Sequence, residues 1–262
     1  MNLAPPPALV ACDIDGTLLR TGNPASPGVR AAATAVRAAG HHIVLATGRS
    51  LVGALSVAQE LELDDDIWIV ASNGAVTAHV TGSGFEVITQ HDLEAETAIR
   101  AALAASPGLR IAAEVVGVGY RVNIPFPDSE VNGTQNSVTG LEELWAEPTP
   151  RLALYGPSAY RAVPALRALG ITAIPTRTDW VDVTPPGLSK ATALEKVRTE
   201  LGVEDDATVA VGDSENDLEM LLWASTGFAM GHAPVPVRAA ADHVTGTLDD
   251  DGAATVLRSL LA

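Results

Sequence analysis

The sequence predicts an α/β protein in which one parallel sheet is interrupted by an inserted α+β unit. Three observations carry this reading. Up to Asn73-Gly74, short apolar runs of strand length alternate with alanine-rich stretches of helical length, the pattern of strands joined by crossover helices. From there to Thr184, hairpin-like strands mix with helices. Beyond Thr184 the first alternation returns, and a rhythm that stops and resumes marks an insertion into one sheet.

Leu9 to Cys12, Ile43 to Ala46 and Ile67 to Ala71 read as buried parallel strands, each followed by a turn of small or glycine-containing residues. Val29 to Ala39, closed by Gly40, and Leu51 to Leu61 read as the helices between them. Ala75 to Val80 and Phe85 to Thr89 flank Thr81-Gly82-Ser83-Gly84 and read as a hairpin. Next come a helix over Leu93 to Ala105, strands near Ile111 to Val116 and Gly119 to Ile124, and a polar loop from Asp128 to Thr139 with little structural signal. A strand at Leu152 to Tyr155, a helix over Ala159 to Leu169 and two short strands complete the insert. The ending reads as a helix from Lys190 to Leu201, a strand at Thr208 to Val211, a helix from Glu215 to Trp223, and strands near Gly227 to Met230 and His243 to Thr245. The expected division is a discontinuous core of residues 1–90 and 185–262 around an insert of residues 91–184.

With 47% hydrophobic residues in a chain of 262, there is material for a sizeable core. The net charge of −16 repels polyanions and argues against nucleic acid and anionic membranes as partners. It does not oppose a small anionic substrate, because cations, helix N-termini and a metal ion gathered at one site outweigh a screened net charge. No segment reaches the ~20 apolar residues of a membrane span. The opening, Met-Asn-Leu-Ala-Pro-Pro-Pro, has no Lys or Arg before the first apolar run, so no signal peptide or anchor is expected. The lone cysteine, Cys12, has no internal disulfide partner and lies in an apolar run. A cytoplasmic monomer or homodimer is expected.

The chemistry gathers where the apolar strands end. Asp13-Ile14-Asp15-Gly16-Thr17 follows the first strand and puts two carboxylates at the carboxyl edge of the sheet, where ligands of open α/β folds bind. Two carboxylates this close repel unless a cation or a shared proton compensates, and their environments can split them into nucleophile and acid. Thr47-Gly48-Arg49-Ser50 follows the second strand with a hydroxyl, free N–H groups and a guanidinium, all suited to phosphate oxygens. Asn73 adds an amide after the third strand. Lys190 is one of only two lysines against fourteen arginines, and a compact ammonium lies against a phosphate and carboxylates where a planar guanidinium would not. Gly212-Asp213-Ser214-Glu215-Asn216-Asp217 supplies carboxylates and an amide of the kind that suits Mg²⁺. Each motif alone also reads as a turn or helix cap.

Taken together, Asp13-Ile14-Asp15-Gly16-Thr17, Thr47-Gly48-Arg49, Lys190 and Gly212-Asp213-Ser214-Glu215-Asn216-Asp217 resemble the four ordered motifs of the haloacid dehalogenase superfamily. Asn73-Gly74-Ala75, the insert, Gly187-Leu188-Ser189-Lys190 and the ending from Phe228-Ala229-Met230-Gly231 to Asp250-Asp251-Gly252 resemble its Cof-type branch. His232 departs from that pattern, which usually has Asn there. The resemblance implies a Rossmann-like core, a C2-type cap and a Mg²⁺-dependent phosphatase acting on a small phosphorylated metabolite such as a sugar phosphate. It implies Asp13 as nucleophile and Asp15 as acid and base, with Thr47, Gly48, Lys190 and Asn216 on the phosphoryl oxygens. It gives the Asp13 carboxylate, the Asp15 backbone carbonyl and Asp213 as metal ligands, supported by Asp217, Arg49 and Asn73; Asp217 either lies near the metal through water or orients Lys190. A phosphomutase, or a non-catalytic sugar-phosphate binder, is the alternative. Trp180, Tyr120, Arg121, Asn123 and Arg177 are insert residues that either face a leaving group or serve packing and surface.

Overall fold

The computed structural model describes residues 7–128 and 130–261; the opening read above for targeting signals begins outside them. In chain order the elements are β1 (Leu9–Cys12), α1 (Pro27–Ala38), β2 (His42–Ala46), α2 (Leu51–Glu60), β3 (Asp66–Ala71), β4 (Val76–Thr81) and β5 (Gly84–Gln90). There follow α3 (Ala95–Ala105), β6 (Arg110–Val115), β7 (Gly119–Val122), β8 (Thr134–Ser137), β9 (Leu152–Tyr155), α4 (Val163–Ala168), β10 (Thr172–Arg177) and β11 (Trp180–Thr184). The chain ends with α5 (Lys190–Leu201), β12 (Thr208–Gly212), α6 (Leu218–Trp223), β13 (Thr226–Ala229), α7 (Val235–Ala240), β14 (His243–Val244) and α8 (Gly252–Ser259).

Two sheets result. The larger has eight strands in the order β14-β13-β12-β1-β2-β3-β4-β5, parallel through β3 and antiparallel at β4 and β5. It is a Rossmann-like core. The chain builds outward from β1 through β2 to β3, then returns to β12 on β1's other side and builds the opposite way. The boundary between β1 and β12 is therefore the topological switch point, where strand ends splay apart and leave a crevice. One face of this sheet packs on α1, α2 and α8 through Val29, Val36, Val57 and Leu257, and the other on α5 and α6 through Leu194 and Leu221. Residues buried on both faces explain why β1 reads as an unbroken apolar run.

The second sheet has six strands, β10-β11-β9-β6-β7-β8, and belongs to the inserted unit. One of its faces carries Ile111, Leu152, Leu154 and Val183 against α3 and α4. The other carries Ala112, Tyr120, Val122, Ala153 and Trp180, with Phe126 packed on them.

Several expected elements take a different form. The hairpin β4–β5 continues the first sheet, so the change of rhythm after Gly74 is one of strand direction. The loop from Asp128 to Thr139 contains β8, an edge strand parallel to β7. Its Thr134-Gln135-Asn136-Ser137 has no apolar alternation because its side chains are largely exposed. The helix expected over Ala159 to Leu169 is a 3₁₀ turn at Ala159–Ala162 followed by α4, with Pro164 in the first turn, where its missing N–H costs nothing. The helix expected from Glu215 likewise opens with a 3₁₀ turn at Glu215–Asp217. Helices α7 and α8 add to the elements expected from sequence. Among the described residues no helix is long and apolar enough to cross a membrane.

Candidate active site

The site forms at the switch point. Asp13 directly follows β1, and Asp213 directly follows β12, whose pairing with β1 brings the two carboxylates together. Gly16 between them has φ +87°, and a Cβ there would fall on the Asp213 carboxylate. Only glycine meets both demands. Asp13, Asp213 and Asp217 each offer an oxygen, all within 4.8 Å of one another.

Lys190 supplies the matching cation. It opens α5 and is fully buried, with Nζ donating to Asp13 Oδ1 at 2.6 Å and to Asp217 Oδ1 at 2.6 Å. Burial alone would depress its pKa, but the charges and acceptors of Asp13 and Asp217 reverse that and raise it, so the ammonium form is fixed. The other oxygen of Asp217 accepts from the backbone N–H groups of Asp213 and Ser214, each at 3.0 Å. Asp217 thereby ties the turn after β12 to Lys190.

The anionic side of the site is over-supplied. Three carboxylates face one ammonium, and Asp13 Oδ2 is buried with no hydrogen-bond partner. Burial pushes Asp13 well above its ordinary range, opposed by Lys190 and reinforced by Asp217 and Asp213. Burial and the Asp217 charge push Asp213 up to about 6. An unpartnered carboxylate oxygen, an oxygen-only donor set and excess negative charge together fit a small divalent cation, and Mg²⁺ is the cofactor of this site. His232 stands at its rim, with Nε2 3.8 Å from Asp213 Oδ2.

Asp15 has partners of its own. Arg49 clasps it bidentately, Nε to Oδ2 and Nη2 to Oδ1 at 2.6 Å each, and the Thr21 hydroxyl donates to Oδ1 at 2.6 Å. Burial raises the Asp15 pKa, but the Arg49 hydrogen bonds and charge outweigh it and hold the carboxyl below its ordinary value. The guanidinium expected on phosphate oxygens is thus engaged with a carboxylate.

Thr47, Gly48, Asn73 and Asn216 form the remaining wall. Thr47 is buried, its Oγ1 accepting from Arg49 N at 3.1 Å. Asn216 Nδ2 donates to Asn73 Oδ1 at 2.9 Å, and Gly48 lies against both amides. Asn73 Nδ2 is buried and unpartnered, a donor left for an anion. The structure thus gathers Asp13, Asp213, Asp217 and Lys190 in one cluster, pairs Asp15 with Arg49, and sets Asn73 and Asn216 against Gly48 beside Thr47. Of the insert residues, Tyr120 and Trp180 are buried on the face away from α3 and α4, Arg121 pairs with Glu147, Asn123 bonds the backbone of Leu109 and Ile111, and Arg177 pairs with Glu130 and Asp179. Sequence reasoning missed Glu114 and Thr21. The signal for Glu114 was a lone acid inside the apolar run Ile111-Ala112-Ala113-Glu114-Val115-Val116; Thr21 gave none.

Nucleophilic carboxylate, lysine and acidic metal cluster at the switch point of an open sheet, with a second sheet inserted after it, define a phosphoryl-transfer enzyme of the Asp-nucleophile class. Residues 10–108 and 162–257 match the haloacid dehalogenase-like hydrolase family, and the chain belongs to that family. Its motifs and relatives place it in the Cof-type phosphatase branch. A phosphoglycolate phosphatase of Natronomonas pharaonis is 31% identical over 94% of each chain. A 5-amino-6-(5-phospho-D-ribitylamino)uracil phosphatase of Bacillus subtilis is 27% identical over 96% of this chain and 97% of its own. A phosphatase of the same superfamily from Bacteroides thetaiotaomicron superposes with a TM-score of 0.78 at 29% identity, covering 97% of this chain and 95% of that one. The protein is a phosphoric monoester hydrolase that works through an aspartate nucleophile.

Proposed function

We propose that the chain hydrolyses a small phosphorylated metabolite, a sugar phosphate or related phosphomonoester, through an aspartyl-phosphate on Asp13. The observation that carries this is the Asp13–Lys190–Asp217 chain beside Asp213. Lys190 fixes the rotation of the Asp13 carboxylate and so aims it for in-line attack on phosphorus. Thr47, the N–H groups around Gly48, Lys190 and Asn216 hold the transferring oxygens, with Asn73 presenting its free amide. Asp13, the Asp15 backbone carbonyl and Asp213 would hold Mg²⁺, while Asp217, both oxygens engaged, orients Lys190. The cation, when bound, neutralises charge on the phosphoryl group. Asp15, an anion in the grip of Arg49, serves directly as the base that activates water. As the acid for the leaving oxygen it first takes a proton and releases that grip. The phosphate esters named for the two relatives are both small, which supports the substrate class. Residues 1–90 and 185–262 are then the catalytic core, and 91–184 the C2-type cap that chooses the leaving group. A cytoplasmic monomer or homodimer accords with this reading.

A screen of sugar phosphates, phosphoglycolate, nucleotides, pyridoxal phosphate and flavin mononucleotide, with Mg²⁺ and with excess chelator, tests it. Phosphate release that needs Mg²⁺ is expected; release undiminished by chelator overturns the metal assignment. A phosphomutase would instead return the phosphoryl group to a second hydroxyl.

Asp15→Asn is expected to slow an unactivated ester by about 10²–10⁴ for each proton transfer lost. Phosphoenzyme formation from p-nitrophenyl phosphate, whose leaving group needs no proton, suffers less. Equal losses for both esters in single-turnover measurements would remove Asp15 as the acid.

Protons should compete with the cation. The Asp213 carboxyl, pushed up to about 6, is ionised above that value and protonated below it. Apparent Mg²⁺ affinity, measured calorimetrically, should therefore fall as the pH drops through about 6, by at least roughly tenfold per unit below it, since Asp13 is raised as well. Constant affinity down to pH 5 would contradict the assignment.

A further inference from the structure

We propose that Glu114, on β6 of the inserted unit, is a positioning residue that locks together the two core loops bearing Thr47–Arg49 and Asn73, so that these loops are complete only when the inserted unit is docked. Its catalytic consequence rests on the phosphatase reading. Glu114 is 1% exposed. One carboxylate oxygen accepts from Leu51 N at 3.1 Å and the other from Ser72 Oγ at 2.5 Å.

Both contacts fall on segments that need an outside partner. Leu51 is the first residue of α2, and the helix's own N-cap, Ser50, makes no capping bond. In α1 and α5 the corresponding serines, Ser26 and Ser189, accept from Val29 N and Thr192 N in the usual way. In α2 a carboxylate from the other sheet provides the acceptor, and negative charge at a helix N-terminus is the favoured sign. Ser50 follows Arg49 directly, so the anchored helix end fixes the Arg49 backbone.

Ser72 and Asn73 both have positive φ, 51° and 55°. Neither is glycine, and such backbone persists only where its surroundings over-determine it. Ser72 N donates to Arg49 O at 2.8 Å and Asn73 N to Thr47 O at 3.0 Å, which splices the two loops together. The next residue, Gly74, packs so closely on the Ser189 carbonyl that a Cβ has no room, so the same loop abuts the start of α5 and Lys190. Glu114 holds this assembly from the insert side, and its own strand is braced by Thr149 Oγ1 donating to Glu114 O at 2.9 Å.

The test compares wild type with E114A, E114Q and E114D, using p-nitrophenyl phosphate and backbone hydrogen exchange. In E114A, kcat should fall about 10–100-fold, the size of effect of a misplaced reacting group, with KM within about threefold. Amide exchange should quicken at residues 49–52 and 72–75 while β6 and β9 keep their protection. The E114Q amide accepts from Leu51 and donates to the Ser72 oxygen, so it should restore kcat to within about threefold of wild type. A folded E114A with unchanged kcat overturns the proposal, as does E114Q as impaired as E114A. Should E114A not fold, E114D decides: one methylene shorter, it cannot span both donors, and an undiminished kcat overturns the lock while a reduced one supports it. A wild type that hydrolyses neither p-nitrophenyl phosphate nor any ester of the screen refutes the phosphatase reading instead. The exchange pattern then still decides the lock, with faster exchange at 72–75 in E114A supporting it and unaltered exchange overturning it.

Discussion

Asp13→Asn is expected to abolish turnover, with a loss of at least about 10⁴ in kcat, while the folded state is retained. The amide keeps the volume of the side chain and its carbonyl still accepts from Lys190, but it cannot attack phosphorus. Stability should change far less than activity. Burial and the neighbouring acids raise the Asp13 pKa in the folded protein. A carboxyl with a raised folded pKa destabilises the fold at pH values above its unfolded value, where ionisation is forced on it. Without metal, the Asn variant is relieved of that penalty but gives up the Asp13 half of Lys190's charge pairing, so it should melt near the wild-type temperature at pH 7. Substantial Mg²⁺-dependent activity, or a large drop in melting temperature in chelator, would contradict the assignment.

Lys190→Ala should be the most damaging change to the fold. It strips Asp13 and Asp217 of their common ammonium partner, and both are almost fully buried. Breaking a buried ion pair by deleting one partner costs about 3–5 kcal/mol. At roughly 2–4 °C per kcal/mol for a chain near this size, thermal melting should fall by about 6–20 °C. The deficit should shrink as the pH falls, because protonating the stranded carboxylates removes the uncompensated charge. Activity should vanish at every pH. A melting temperature within about 2 °C of wild type, less than 1 kcal/mol, would show that the acids are compensated by other means.

What could be read from the sequence and what could not divide along a physical line. Asp13, Thr47, Asn73 and Asp213 sit where an apolar strand ends, and a parallel sheet delivers all such ends to one edge, so locating the strands located the residues. Lys190 was legible because the chain uses arginine almost everywhere else. The pairing of those groups was not legible, since Arg49 lies 34 residues from Asp15 and its choice of a carboxylate over a phosphate depends on the fold. Glu114 was hidden for a similar reason: its partners, Leu51 and Ser72, belong to the other sheet's connections. The polar edge strand β8 lacked the alternation that announces half-buried strands, because almost nothing on it is buried. Helices α7 and α8, of six and eight residues, are too short to show a sustained period.

The switch point also sets the time at which the enzyme comes into being. β1 and β12 lie side by side, yet about 200 residues separate them, which takes on the order of 10–40 s to translate at about 5–20 residues per second. Throughout that interval the strand leading to the nucleophile has a bare flank, with unpaired N–H and C=O groups open to any passing strand. Lys190 emerges late in that interval, and Asp213 and Asp217 only after it. A chain halted before Thr208 therefore keeps that edge of β1 unpaired and lacks Asp213 and Asp217, so it is both inactive and open to pairing with a foreign strand.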